Sequence, residues 1–143
     1  MTSPNASGPG APASPPVIAV VNSSDDLIRL LRDELIRIGF NVVTAHIREI
    51  KSGQQDFTGF LAGHNPQVIV YDISVPYEEN WTFLQTLRKV PEAQDRHWVV
   101  TTVNKRVLDQ RVGQTGAIEI RGGRADDLDP VLDAVQKFAR PGR

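Results

Sequence analysis

Asp72 ends an apolar run, Val68-Ile69-Val70-Tyr71, and Ile73-Ser74-Val75-Pro76 follows it. A carboxylate at the carboxyl end of a buried strand is well placed for chemistry, because ligands and reactive groups gather at that edge of a parallel α/β sheet. It could act as a nucleophile or a metal ligand, or do no more than cap the strand by accepting from amides of the next loop. Two polar loops bear on it. Asn22-Ser23-Ser24-Asp25-Asp26 holds two acids beside three neutral side chains. It lacks the glycines of a phosphate-cradling loop, and its acids would repel phosphate. Arg121-Gly122-Gly123-Arg124 joins free amides to two guanidiniums and could hold an anion, although a flexible turn is the simpler account. His46, His64 and His97 show no metal-ligand spacing and read as surface or loop residues. The absence of cysteine removes disulfides, thiolate metal sites and cysteine catalysis together. With no nucleophile–base pair and no ligand cluster, the expectation is a protein that is not an enzyme.

The bulk numbers narrow the field further. The chain has 143 residues, 23% of them charged, and a net charge of -1. That is one domain, with no broad field to favour nucleic acid or an anionic membrane. No apolar run is long enough to span a bilayer, and the first residues lack the blocks of a signal peptide. A cytoplasmic protein is expected. Residues 1–16 are mostly Pro, Gly, Ser and Ala with no charged side chain, which reads as a disordered tail. Residues 17–139 carry the pattern of a folded domain, and 140–143 form a short C-terminal tail.

The elements that would position Asp72 alternate along the domain. Val17 to Val21 reads as a buried strand. Residues Ser23 to Asp26 offer helix caps, Leu27, Ile28, Leu31, Leu35 and Ile38 recur at helical spacing, and Gly39 stops the helix. Phe40 to Thr44 is a second strand. A weak helix over 53–63 carries Phe57, Phe60 and Leu61, and the third strand spans 67–72. Tyr77-Glu78-Glu79 reads as solvated loop. Asn80 caps a helix that buries Trp81, Phe83, Leu84, Leu87 and Val90 before Pro91. Trp98 to Thr101 is the fourth strand, 105–113 a short helix, and Ala117 to Ile120 the fifth strand. Pro130 fits only a first helical turn, so the last helix starts close to Asp127. Five strands alternating with five helices predict a doubly wound parallel sheet.

Residues 17–139 resemble the receiver domain of two-component response regulators. The resemblance rests on Val17-Ile18-Ala19-Val20-Val21 with its polar, acidic turn, on Ile38-Gly39-Phe40, and on Asn65-Pro66-Gln67-Val68-Ile69-Val70-Tyr71-Asp72. Pro76, Arg88, Thr101 and Gly116-Ala117 follow at matching places, and Asn80 stands where the family has a loop glycine. The implied fold is α/β and flavodoxin-like, a (βα)5 three-layer sandwich with a five-stranded parallel sheet. Receivers hold Mg²⁺ with two acids after the first strand and a phosphoacceptor aspartate after the third. A hydroxyl after the fourth strand and a lysine after the fifth contact the phosphoryl group. Asp72 matches the phosphoacceptor and metal ligand, and Thr101 the hydroxyl. The acidic pair falls on the neutral Asn22 and Ser23, and the lysine on Gly123. Spacing places Asp25 and Asp26 in the helix start, where they favour the N-terminal dipole by about 0.3–1 kcal/mol. Arg121 and Arg124 are not placed by spacing to replace the lysine. The family's aromatic position on the fifth strand is Ile120.

Such a set predicts weak Mg²⁺ binding and weak phosphoryl transfer, because Asp72 is left nearly alone among the carboxylates. No other cofactor is expected. The predicted function is a stand-alone, receiver-like signalling module of a phosphorelay, a pseudo-receiver with a degenerate site at Asp72. The alternatives are a constitutive scaffold independent of phosphorylation and a flavodoxin-like domain for a small ligand. Partners would be proteins, such as a sensor kinase or a regulatory protein, or a second copy in a homodimer, with neither nucleic acid nor membrane. The family's contact face would carry Lys105, Arg106, Asp109 and Gln110 here. Asn22, Ser23 and Ser24 could also form a polar pocket in which hydrogen bonds replace the ion.

Overall fold

The computed structural model describes residues 15–141 apart from Gly123. What was expected of residues 1–14, of Gly123 and of 142–143 lies outside them.

Two strands are apolar almost throughout because both of their faces are covered. They are β1 (Val17–Asn22) and β3 (Val68–Asp72), buried but for Val17. Around them lie β2 (Asn41–His46), β4 (His97–Thr102) and β5 (Ile118–Glu119). The five strands form one parallel sheet in the order β2-β1-β3-β4-β5. The chain winds outward in both directions from β1 and β3, so the switch point of the sheet lies between those two strands.

Period-two alternation divides the side chains between two cores. Ile18, Val20, Val68, Val70 and Val99 face α1 (Asp25–Arg37) and α6 (Asp129–Phe138), where Leu31, Leu35, Val131 and Val135 meet them. Ala19, Val21, Ile69, Tyr71 and Val100 face the opposite layer. That layer contains α2 (Ile47–Ser52), α3 (Phe57–His64), α4 (Tyr77–Arg88) and α5 (Lys105–Val112). Its core is built from Ile50, Phe57, Leu61, Leu84 and Leu108. The result is the three-layer, doubly wound α/β sandwich that the alternation predicts.

The local signals account for most boundaries. Ser24 caps α1, its Oγ accepting from Leu27 N at 3.2 Å, with Asp25 and Asp26 in the first turn. Gly39 follows the helix at φ 111°, a conformation that a side chain would strain. Pro130 sits in the first turn of α6 as expected, but a 3₁₀ turn, Ala125–Leu128, precedes that helix and moves its start to Asp129.

Four expectations need correction. The described residues form six α-helices, because α2 forms where no helix was read. Its stop, Gly53, lies in the left-handed region, so the segment expected as one helix over 53–63 begins only at Phe57. Helix α4 starts one turn before Asn80, at Tyr77, with Pro76 in the capping position. Tyr77 is therefore a buried core residue and not part of a solvated loop. His46 is mostly buried and caps α2, its Nδ1 accepting from Arg48 N at 3.1 Å.

Candidate functional site

Strand parity brings Asp72, Thr101 and Asn22 to one place. Each lies two residues beyond a valine of the α1/α6 core, namely Val70, Val99 and Val20. Parallel pairing sets Asp72 beside Thr101. One step past the Val21–Tyr71 pair, Asn22 and Asp72 end neighbouring strands. Thr101 Oγ1 donates to Asp72 Oδ1 at 2.7 Å. Asp72 is 5% exposed and Thr101 is fully buried. The next threonine anchors the loop, Thr102 Oγ1 donating to the carbonyl of Ile73 at 2.8 Å.

Burial makes the charged form of Asp72 costly. It pushes the carboxyl up from the usual 3.8 to about 6, and the Thr101 hydroxyl pulls weakly the other way. No cation forms an ion pair with Asp72 among the described residues. Thr101→Val removes the one donor that favours the carboxylate, so the Asp72 midpoint should move further above 6. A carbon-detected NMR titration of the Asp72 carboxyl checks this. A midpoint that stays put or falls would show that the hydroxyl does not stabilise the charge.

The acids of the first loop are engaged elsewhere. Asp25 Oδ1 lies 3.6 Å from His46 Nε2, and Asp26 Oδ1 accepts from Arg29 Nη2 at 2.5 Å. Both are exposed on the first turn of α1. The Asn22 side chain is buried and closes the turn, its Oδ1 accepting from Ser24 N at 2.9 Å. Ser23 is exposed. After β5, Arg121 pairs with Glu119 at 2.9 Å on a side chain 83% exposed. The backbone of Arg124 donates to Asp127 Oδ2 at 3.3 Å. Neither arginine has a polar contact with Asp72 among the described residues.

Near this rim the sequence reading misplaced one residue, Asn80, and missed another, Lys51. Asn80 is buried in α4, where its Nδ2 donates to the Ser74 carbonyl at 2.8 Å and ties down the loop after Asp72. Lys51 reaches across from α2 and donates to Asn80 Oδ1. The only sequence signal for α2 was Ile47 and Ile50 at helical spacing, too short a run to stand out.

No family model matches the sequence, and no curated protein matches it. Solved structures do match the architecture. A response regulator from Thermotoga maritima is 26% identical, with a TM-score of 0.60 over 87% of this chain and 97% of its own. The chemotaxis protein CheY4 of Vibrio cholerae is 18% identical, with a TM-score of 0.61 over 87% and 98%. The response regulator TrrA of Thermotoga maritima, in complex with Mg²⁺ and BeF, is 19% identical, with a TM-score of 0.57 over 86% and 98%.

The fold is that of a response regulator receiver domain.

On the receiver fold, Mg²⁺ needs oxygen donors gathered at the carboxyl rim of the sheet, with carboxylates among them. The residues here do not fit it. Among the described residues no three His, Asp or Glu side chains come close enough to hold a metal. The single carboxylate between β1 and β4 already accepts from a hydroxyl, and its neighbour on β1 is an amide. Gly123, where the resemblance leads one to expect the receiver lysine, is not among the described residues. The face expected to make receiver contacts is partly internally paired, with Lys105 Nζ and Asp109 Oδ2 at 2.7 Å. The Thr115 amide and hydroxyl also donate to Asp109, and together these partners hold its carboxyl below the usual range. No helix among the described residues is long and apolar enough to cross a membrane.

Proposed function

We propose that this chain is a receiver-like module of phosphorelay signalling that works through protein–protein contacts and has lost ready phosphorylation at Asp72. One observation carries the reading. The buried Asp72 has a threonine hydroxyl and an asparagine amide at its sides, where phosphoryl transfer to a carboxylate needs acids that hold a metal. Without that screening, a carboxylate and an incoming phosphoryl group repel one another. The partner class is protein, either a kinase or a regulatory protein, as the receiver fold suggests. The acceptor role of Asp72 and the contact role of Thr101 belong to the ancestral chemistry in this reading.

Incubation with a small phosphodonor and Mg²⁺, followed by intact-mass measurement, tests it. The expected result is no phosphoryl adduct on the wild type, together with no saturable heat when Mg²⁺ is titrated alone. An adduct that disappears in Asp72→Ala would overturn the proposal, because the aspartate would then be a working acceptor.

A further inference from the structure

Next to the Asp72 site, a crevice of about 450 Å³ opens over the carboxyl ends of β1, β2 and β3. Its volume is that of an ordinary small-molecule pocket, and it borders the switch point of the sheet. Ser23 comes from the end of β1, Arg48 and Lys51 from α2, Val75 and Pro76 from the loop after β3, and Asn80 from α4. Asp72 itself is not part of the wall. Two of the lining residues are cations and none is an acid. Neither Arg48 nor Lys51 has an ion-pair partner among the described residues.

Lys51 is held in position without being neutralised. Its ammonium lies 5.4 Å from the centre of the Phe83 ring and donates to Asn80 Oδ1. Asn80 is in turn fixed on the Ser74 carbonyl. An ammonium held by a neutral amide and a ring face has no counter-charge beside it and has lost part of its rotamer freedom before any ligand arrives. The opposite wall is apolar, formed by Val75, which is 69% exposed, with Pro76. A bare inorganic anion would satisfy the cations and leave that wall wet. Of the two acids in the turn after β1, Asp26 pairs with Arg29 and Asp25 lies 3.6 Å from His46, and neither lines the crevice.

We propose that this crevice binds a small organic anion, a phosphate ester or carboxylate carried on an apolar body, with Lys51 and Arg48 as the anchoring charges. The site is independent of phosphorylation at Asp72 and stands whether or not that reading holds.

The test is a titration of the full chain in chloride buffer with phenyl phosphate, benzoate and inorganic phosphate, followed by NMR shifts of Lys51, Val75 and Asn80. Phenyl phosphate or benzoate should saturate these shifts, and the tighter of the two identifies the anionic group. Inorganic phosphate should bind about tenfold more weakly than the better probe, for want of the apolar contact. Lys51→Met keeps an apolar stem beside Phe83 and should weaken binding about tenfold or more, as expected for loss of a charged hydrogen bond. Arg48→Ala should weaken it in the same direction, and Arg121→Ala should leave it unchanged. The proposal is overturned if neither organic probe saturates, if inorganic phosphate binds as tightly as both, or if Lys51→Met and Arg48→Ala bind like wild type. An acidic peptide that binds through Lys51 when both small probes fail would also overturn it, by making the crevice a protein-docking surface.

Discussion

At pH 7.5 the Asp72→Asn variant should be more stable than the wild type by about 3 kcal/mol. The carboxyl of Asp72 lies near its ordinary 3.8 in the unfolded chain and at about 6 in the folded one. Between those two values the folded state binds more protons than the unfolded state, so stability falls as pH rises through the window. Below 3.8 the carboxyl is neutral in both states and costs nothing. Above 6 the folded protein bears the full cost of a buried, unpaired charge. Asparagine keeps the acceptor for Thr101 Oγ1 and carries no charge. The gap between variant and wild type should therefore be small at pH 3.5 and open between pH 4 and 6, then level off. Urea unfolding at several pH values measures it. Other carboxylates, such as Asp109, which is held below its usual range, contribute equally to both proteins and cancel in the difference. A gap that does not vary with pH, or one that closes as pH rises, would mean that the folded protein tolerates the Asp72 charge.

Arg96→Ala should destabilise the protein by about 3 kcal/mol, although Arg96 lies at the end of the sheet opposite Asp72. Its guanidinium donates to the carbonyls of Glu92 at 2.6 Å and Pro66 at 2.7 Å, and to Asn65 Oδ1 at 2.8 Å. A longer bond reaches the Leu61 carbonyl at 3.4 Å. One side chain thus joins the end of α3, the turn into β3 and the turn into β4. Removing it leaves several carbonyls to find water at once. Arg96→Lys should recover less than half of the loss, because a single ammonium cannot reproduce a planar fork. Urea midpoints for the two variants give the answer. A loss in Arg96→Ala below about 0.5 kcal/mol, the range of ordinary surface substitutions, would show that water replaces the arginine without cost.

The layers of this fold were legible because burial leaves a strong imprint. β1 and β3 are apolar runs, α1 carries Leu31 and Leu35 at helical spacing with a serine cap, and Pro130 marks the first turn of α6. Helix α2 was not legible. Six residues with two buried isoleucines give barely one helical turn of pattern, and its cap is a histidine ring nitrogen. Asn80 was misread as a cap because asparagine favours that position, whereas here tertiary contacts with Ser74 and Lys51 hold it inside α4. At the candidate site, the sequence marked Asp72 and Thr101 and the neutral side chains of Asn22 and Ser23. It could not display the bond between Asp72 and Thr101, nor the engagement of Asp25 and Asp26 by other groups, since those depend on side-chain direction. Lys51 was missed for the same reason: its importance comes from reaching a partner on α4, 29 residues away.

The two borders of the sheet are unequal. β5 has two residues and β2 has six, and among the described residues each pairs with a neighbour on one side only. A short border offers little template to a foreign strand, whereas a long one presents a row of free amides and carbonyls. Strand-by-strand growth of this protein, including its first step toward aggregation when crowded or partly unfolded, should therefore begin along Asn41–His46. A lysine or proline introduced on that border is the economical way to improve its solubility.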